Sequence, residues 1–235
     1  MTILNRHPQD HVGLWFEQRR KLGVSDTIYW ARYSPETDLI NMCEFQHAHG
    51  DGMSIMKHML SELGYAHVTI PLCKEKRLPT NAQLKRIQKN IQPYPKKVKW
   101  LFWNPDKQLA QNSLETLLFS KQETKLIEQQ AKLLNVPVTT LLLWALNRSA
   151  SKNLLQKQQE YTWFYPVNLR GAVDYGTDYA NYSSGFYLPV NGEISIGELQ
   201  QRIRNKLKSG EHWFNWQQAK IAKYLPGIAI RWLYQ

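Results

Sequence analysis

Residues 44–54 read EFQHAHGDGMS, and both fold and chemistry turn on how this stretch is read. Positions 47–52 hold two histidines, an aspartate and two glycines within six consecutive residues. Upstream, residues 39–47 (LINMCEFQH) read as a strand that runs straight into the motif. Downstream, Ile55, Met56, Met59, Leu60 and Leu63 recur at helical spacing, and Gly64 fits a helix C-terminus. Gly50 and Gly52 supply a tight bend. Residues 39–64 are therefore expected to form strand, turn and helix, with His47 ending the strand and Asp51 near the start of the helix.

Working outward, residues 27–33 (TIYWARY) suit a strand, and Ser34, Pro35 and Asp38 mark a turn between it and the next. Residues 71–97 carry prolines near both ends (Pro71, Pro79, Pro93 and Pro95), and Leu84, Ile87 and Ile91 mark one short amphipathic helix between them. Residues 98–103 (VKWLFW) look like a strand. Ser120 and Glu123 have capping-box spacing ahead of Leu126, Ile127, Ala131 and Leu134. After Pro137, Thr139 or Thr140 is expected to cap a second helix, TLLLWALNRSA, whose first half is apolar on all sides and so should be buried. Residues 161–167 and 185–190 read as strands, and Ser195 with Glu198 opens a last striped helix. The predicted fold class is α/β (α+β), a mixed β-sheet covered by helices. Three segments follow: a first lobe at 1–70, a crossover at 71–97 and a second lobe at 98–235, acting as one functional unit.

Bulk properties narrow the class. At 235 residues and 43% hydrophobic content the chain can bury a substantial core. Cys43 and Cys73 cannot build a disulfide framework. No apolar run approaches the ~18 residues of a membrane span, and MTILNRHPQDH lacks the apolar centre of a signal peptide. A cytoplasmic protein without membrane association is expected. The net charge is +11, and it is concentrated. Residues 71–99 carry nine lysines and arginines, Lys85, Arg86 and Lys89 among them, against one acid, Glu75. An anionic partner fits such a block. Nucleic acid is not the expected one, because the basic residues are not interleaved with the aromatics that stack on bases.

Three readings of HAHGDG compete. As metal ligands, His47 and His49 could converge from one face of a strand with Asp51, but only Cys43 lies near to complete the set, and no metal is expected. As structure, Gly and Asp simply make a turn. As catalysis, the pattern is His47-x-x-x-Asp51-Gly52, an imidazole being the side chain that titrates near neutral pH.

In that third pattern the chain resembles the chloramphenicol acetyltransferase-like acyltransferases, which include peptide-synthetase condensation domains, plant BAHD acyltransferases and wax ester synthases. Their signature is His-x-x-x-Asp-Gly between a strand and a helix. Residues 119–150, "YPVNLRG" at 165–171 and "NYSSGFYLPV" at 181–190 resemble later family segments in the family's order, so the likeness covers roughly 39–190. Gln46 stands where many members carry a second histidine. Two-lobed members place well over a hundred residues before the motif and this chain has 46, so the resemblance implies a shortened first lobe or a homo-oligomer that completes the site.

The resemblance also implies a chemistry. An acyl group would pass from a thioester directly to a hydroxyl or amine, with His47 as general base and no acyl-enzyme. Asp51 would shape the site by pairing with an arginine: Arg170 first, with Arg20 and Arg32 as alternatives. Gly52 would let the backbone pass close to the site, where a side chain would clash. Asn181, Ser183 and Ser184 would face substrate, with a serine hydroxyl donating to the oxyanion. No cofactor is bound; acyl-coenzyme A or an acidic phosphopantetheinyl carrier protein serves as co-substrate, held by Lys85, Arg86 and Lys89. A catalytically inactive protein of the same fold, binding an anionic partner through residues 71–99, is the alternative.

Overall fold

The computed structural model describes residues 6–24, 26–34, 39–75, 77–91, 98–101, 117–156, 159–222 and 224. Strand β1 (Thr27–Ser34) pairs antiparallel with β2 (Leu39–Gln46), from Thr27 opposite Gln46 to Ser34 opposite Leu39. Period two decides the faces: Ile28 and Trp30 lie across from Phe45 and Cys43 on the half-buried side, while Tyr29 and Ala31 lie across from Glu44 and Met42 on the exposed side. One further ladder bond, from the His47 amide to the Asp26 carbonyl at 2.9 Å, closes the hairpin and delivers the chain into the motif.

The described residues also form seven helices: α1 (His11–Lys21), α2 (Gly52–Glu62), α3 (Asn81–Asn90), α4 (Lys121–Leu133), α5 (Val138–Asn153), α6 (Ile196–Ser209) and α7 (Glu211–Ala222). A second two-stranded sheet joins β3 (Tyr161–Asn168) to β4 (Ser183–Val190). The architecture is thus mixed α and β. Among the described residues no helix is long and apolar enough to cross a membrane.

The chain divides into two compact units. The first joins residues 1–90, 166–186 and 210–235, and the second joins 91–165 and 187–209, a partition that cuts differently from segments 1–70, 71–97 and 98–235. The core of the first unit packs Val12 of α1, Leu169, Val173, Ala180 and Tyr182, and Trp213 and Trp216 of α7. Leu84 and Ile87 turn α3 onto that core, which leaves Lys85, Arg86 and Lys89 exposed. The basic segment is also clipped at its start: Glu75 takes the buried His212 Nε2 at 3.0 Å and the Trp213 indole N–H. Burial pushes His212 below the ordinary histidine range, against the opposing pull of Glu75.

In the second unit, α4 has the capping box of Ser120 and Glu123. Asn147 of α5 is fully buried and accepts from the Tyr161 hydroxyl (2.7 Å) and the Trp163 indole (2.9 Å) while donating to the Asn191 carbonyl (2.9 Å). Here three expectations change. Helix α5 starts at Val138 with Pro137 as its cap, because Thr140 sits inside the helix with its hydroxyl on Gln200. That helix is also not buried all round: Thr140, Asn147 and Ala150 face inward, whereas Leu142 and Leu146 are 44% and 53% exposed. Of the strand expected at 98–103, Trp100 makes one isolated bridge to Leu155, and residues 102–103 lie outside the described residues. The turn at 35–38 lies outside them too, and the described strands form two separate pairs instead of one mixed sheet.

Candidate active site

Strand β2 ends at Gln46, and His47–His49 form a single 3-10 turn before Gly50. On a strand, His47 and His49 would share a face. A 3-10 turn advances about 120° per residue, so two residues apart they diverge by roughly 240°. The His47 ring stacks on Phe16 of α1, with centroids 4.0 Å apart and planes 23° from parallel. Its Nδ1 lies 2.9 Å from the Asn181 Oδ1. His49 is half-buried and is held below the ordinary histidine range, first by burial and then by the positive charge of Arg20.

Asp51 caps α2 and is 2% exposed. Its Oδ1 accepts from the Ser54 amide (2.9 Å) and Arg170 Nη2 (2.8 Å), and its Oδ2 from Arg170 Nη1 (2.9 Å) and the Tyr182 amide (2.9 Å). Of the three arginines considered, Arg170 is the partner, in the two-pronged geometry that only a guanidinium supplies. All four directions on the carboxylate are taken, so Asp51 has no lone pair left for a proton or a metal. Arg170 itself is 3% exposed and lies over the Tyr182 ring, 4.4 Å from the centroid. Its Nη2 also donates to the Ser54 hydroxyl at 2.7 Å, and that hydroxyl faces the carbonyls of Ala180 (2.6 Å) and Asp178 (2.8 Å). The turn bearing His47 is thereby fastened to the loop between β3 and β4.

Three expected roles change. A side chain at Gly52 would meet nothing within 4 Å, and Gly52 is exposed, so it is not the point of close approach. That point is Gly50, where an added Cβ would stand 3.0 Å from the Ser54 Cβ. Ser184 donates its hydroxyl to the His212 carbonyl at 2.6 Å, which occupies the proton an oxyanion would need. Ser183 is half-buried at the start of β4. Asn181 does not face substrate: it is fully buried, and its side chain is taken up by His47 and Asp10.

The residue that sequence reading passed over is Asp10. It is fully buried, caps α1 by accepting from the Gly13 amide (2.7 Å), and accepts from both the backbone amide (2.8 Å) and the Nδ2 (2.9 Å) of Asn181. Burial pushes its carboxyl above the usual range, although these three donors pull the other way. The only available signal was an Asp three residues before a glycine, at the head of a helix with no clean apolar stripe. Arg170 and Tyr182 also line a cavity of about 440 Å³ with Ile70, Leu72, Asp174 and Asp178, and His47 is not on its wall. Among the described residues no group of three His, Cys, Asp or Glu is placed to hold a metal ion. Compared with known proteins, the chain matches no family model, no curated protein and no solved structure.

Proposed function

We propose that the chain is an acyltransferase of the chloramphenicol acetyltransferase-like kind, moving an acyl group from a thioester to a hydroxyl or amine. The observation that carries this reading is the Asp51–Arg170 pair, which fixes the turn that presents His47 while leaving the carboxylate no part in proton transfer. His47 is the remaining base, with one ring nitrogen anchored and one left over. It takes the proton from the acceptor as the acceptor's oxygen or nitrogen attacks the thioester carbonyl. The tetrahedral intermediate collapses, the C–S bond breaks, and the same imidazole proton goes to the leaving thiolate. An acyl ester or amide and a free thiol result. The donor is acyl-coenzyme A or a phosphopantetheinyl carrier, and the exposed Lys85, Arg86 and Lys89 suit its phosphates or acidic surface. Ser183 is the remaining serine candidate for the oxyanion, and a second copy that completes the site belongs to the same proposal. So does a cytoplasmic setting.

The same exposed basic face favours the second reading, a non-catalytic protein that holds an anionic partner through residues 71–99. One experiment separates them. The full chain is offered a panel of acyl-thioesters with hydroxyl and amine acceptors, and free thiol is followed. The acyltransferase reading expects turnover that falls ~10²–10⁴-fold in His47→Ala. No wild-type turnover on any thioester, with an acidic partner bound equally by wild type and variant, would establish the second reading instead.

A further inference from the structure

We propose that Asp10 is a positioning residue: through Asn181 it holds His47 in the tautomer with hydrogen on Nδ1, leaving the Nε2 lone pair as the basic site. The use made of that lone pair rests on the acyl-transfer reading, but the tautomer does not.

Asp10 Oδ2 accepts from both the amide and the Nδ2 of Asn181, at 2.8 and 2.9 Å. An accepting oxygen can only be met by the NH₂ end of the Asn181 side chain, so the carbonyl end must point the other way. That carbonyl, Oδ1, lies 2.9 Å from His47 Nδ1. A carbonyl oxygen only accepts, so Nδ1 must be the donor. A neutral imidazole carries one hydrogen, and Nε2 is left with its lone pair. The stack on Phe16 fixes the plane of the ring in which that lone pair lies.

Two further observations tie Asp10 to this task. Capping α1 does not need a carboxylate, since Ser, Thr or Asn caps a helix as well. A fully buried carboxylate is costly, and what it supplies beyond a cap is a fixed orientation for Asn181. The spacing is also fixed. A Cβ on Gly13 would stand 2.5 Å from the Ala48 carbonyl and 2.7 Å from Asp10 Oδ2, so the first turn of α1 lies directly against the turn that carries His47. The amide relays orientation without charge, unlike a carboxylate placed directly on the imidazole.

The test is spectroscopic and needs no substrate. The full chain is labelled with ¹⁵N-histidine, and long-range ¹H–¹⁵N correlations are recorded near pH 8, above the ordinary histidine range. His47 is assigned by the pattern missing in His47→Gln. Wild type should show a protonated Nδ1 and a bare Nε2. In Asp10→Ala the Asn181 NH₂ loses its acceptor, the Asn181 amide is free to turn over, and the Nε2–H form of His47 should appear beside Nδ1–H. Asn181→Ala removes the acceptor with a smaller change in packing, and the Nε2–H form should grow at the expense of Nδ1–H. A wild-type ring protonated on Nε2 overturns the proposal, as does an Nδ1–H pattern that persists unchanged in Asn181→Ala or in a folded Asp10→Ala. If Asp10→Ala does not fold, Asn181→Ala decides alone. On any thioester that wild type turns over, Asp10→Ala should lower kcat severalfold with KM nearly unchanged, as partial loss of the correct tautomer does. Absence of wild-type turnover removes the acyl-transfer reading and leaves the tautomer result standing.

Discussion

Replacing Asp51 by asparagine keeps the shape of the side chain and inverts the chemistry of one of its two ends. Whichever end becomes NH₂, it meets donors. On the Oδ2 side these are Arg170 Nη1 and the Tyr182 amide, and on the Oδ1 side Arg170 Nη2 and the Ser54 amide. One guanidinium bond and one backbone bond are lost together. The guanidinium stays 3% exposed with no counter-charge within its fork. Breaking a buried pair from one side costs about 3–5 kcal/mol. For a chain of this size each kcal/mol shifts the melting temperature by about 2–4 °C, so Asp51→Asn should melt roughly 6–20 °C below wild type. The measurement is differential scanning fluorimetry, checked by urea titration. The double variant Asp51→Leu, Arg170→Met removes both charges and should recover part of the loss, because the cost lies in stranding one partner more than in lacking the pair. A melting point within about 2 °C of wild type for Asp51→Asn, or a double variant worse than the single by the full cost of Arg170→Met alone, would refute this account of the site.

Three further outcomes are expected. His49→Ala should retain most of the transfer activity that His47→Ala loses, because the 3-10 turn sends the two rings apart; comparable losses in both would count against His47 as the base. Replacing Lys85, Arg86 and Lys89 together by Gln should raise the donor's KM and leave kcat nearly unchanged, and donor kinetics insensitive to salt would contradict it. Stability should fall on acidification below about pH 6.5, since His49 and His212 are both held below their unfolded pKa by burial. The unfolded chain then takes up protons that the folded one refuses, so stability is full above that pH. A melting temperature flat from pH 7 to about pH 5, or a fall that survives in His49→Gln, His212→Gln, would contradict the assignment.

The site was legible where its signals were local. The glycine-rich corner, Asp51 at the head of α2 and the apolar spacing behind it lie within one short stretch, and Arg170 stood in a segment already matched by resemblance. What stayed hidden depended on distant neighbours. Asp10 and Asn181 are 171 positions apart, and nothing near Asp10 marks it as more than a cap. Ser184 read as an available hydroxyl because the carbonyl that takes it belongs to His212, on another element. Gly52 was assigned the close approach that belongs to Gly50, since the crowding comes from Ser54 and is invisible in the spacing of glycines. In α5 the apolar run suggested burial on all sides, but composition says nothing about how many faces of a helix find neighbours.

The Asp51–Arg170 pair spans 119 positions, and the unit around it draws on three stretches of chain that begin at residue 1 and resume at 166 and 210. During synthesis the turn with His47 leaves the ribosome long before its clamp exists. At about 5–20 residues per second the delay from Asp51 to Arg170 is roughly 6–24 s. Over that interval Asp51 has no guanidinium partner, and Val12 waits for Trp213 and Trp216. The nascent chain must therefore carry this unit unfinished until α7 emerges, so truncated translation products should lack an assembled site and present apolar surface to chaperones and proteases.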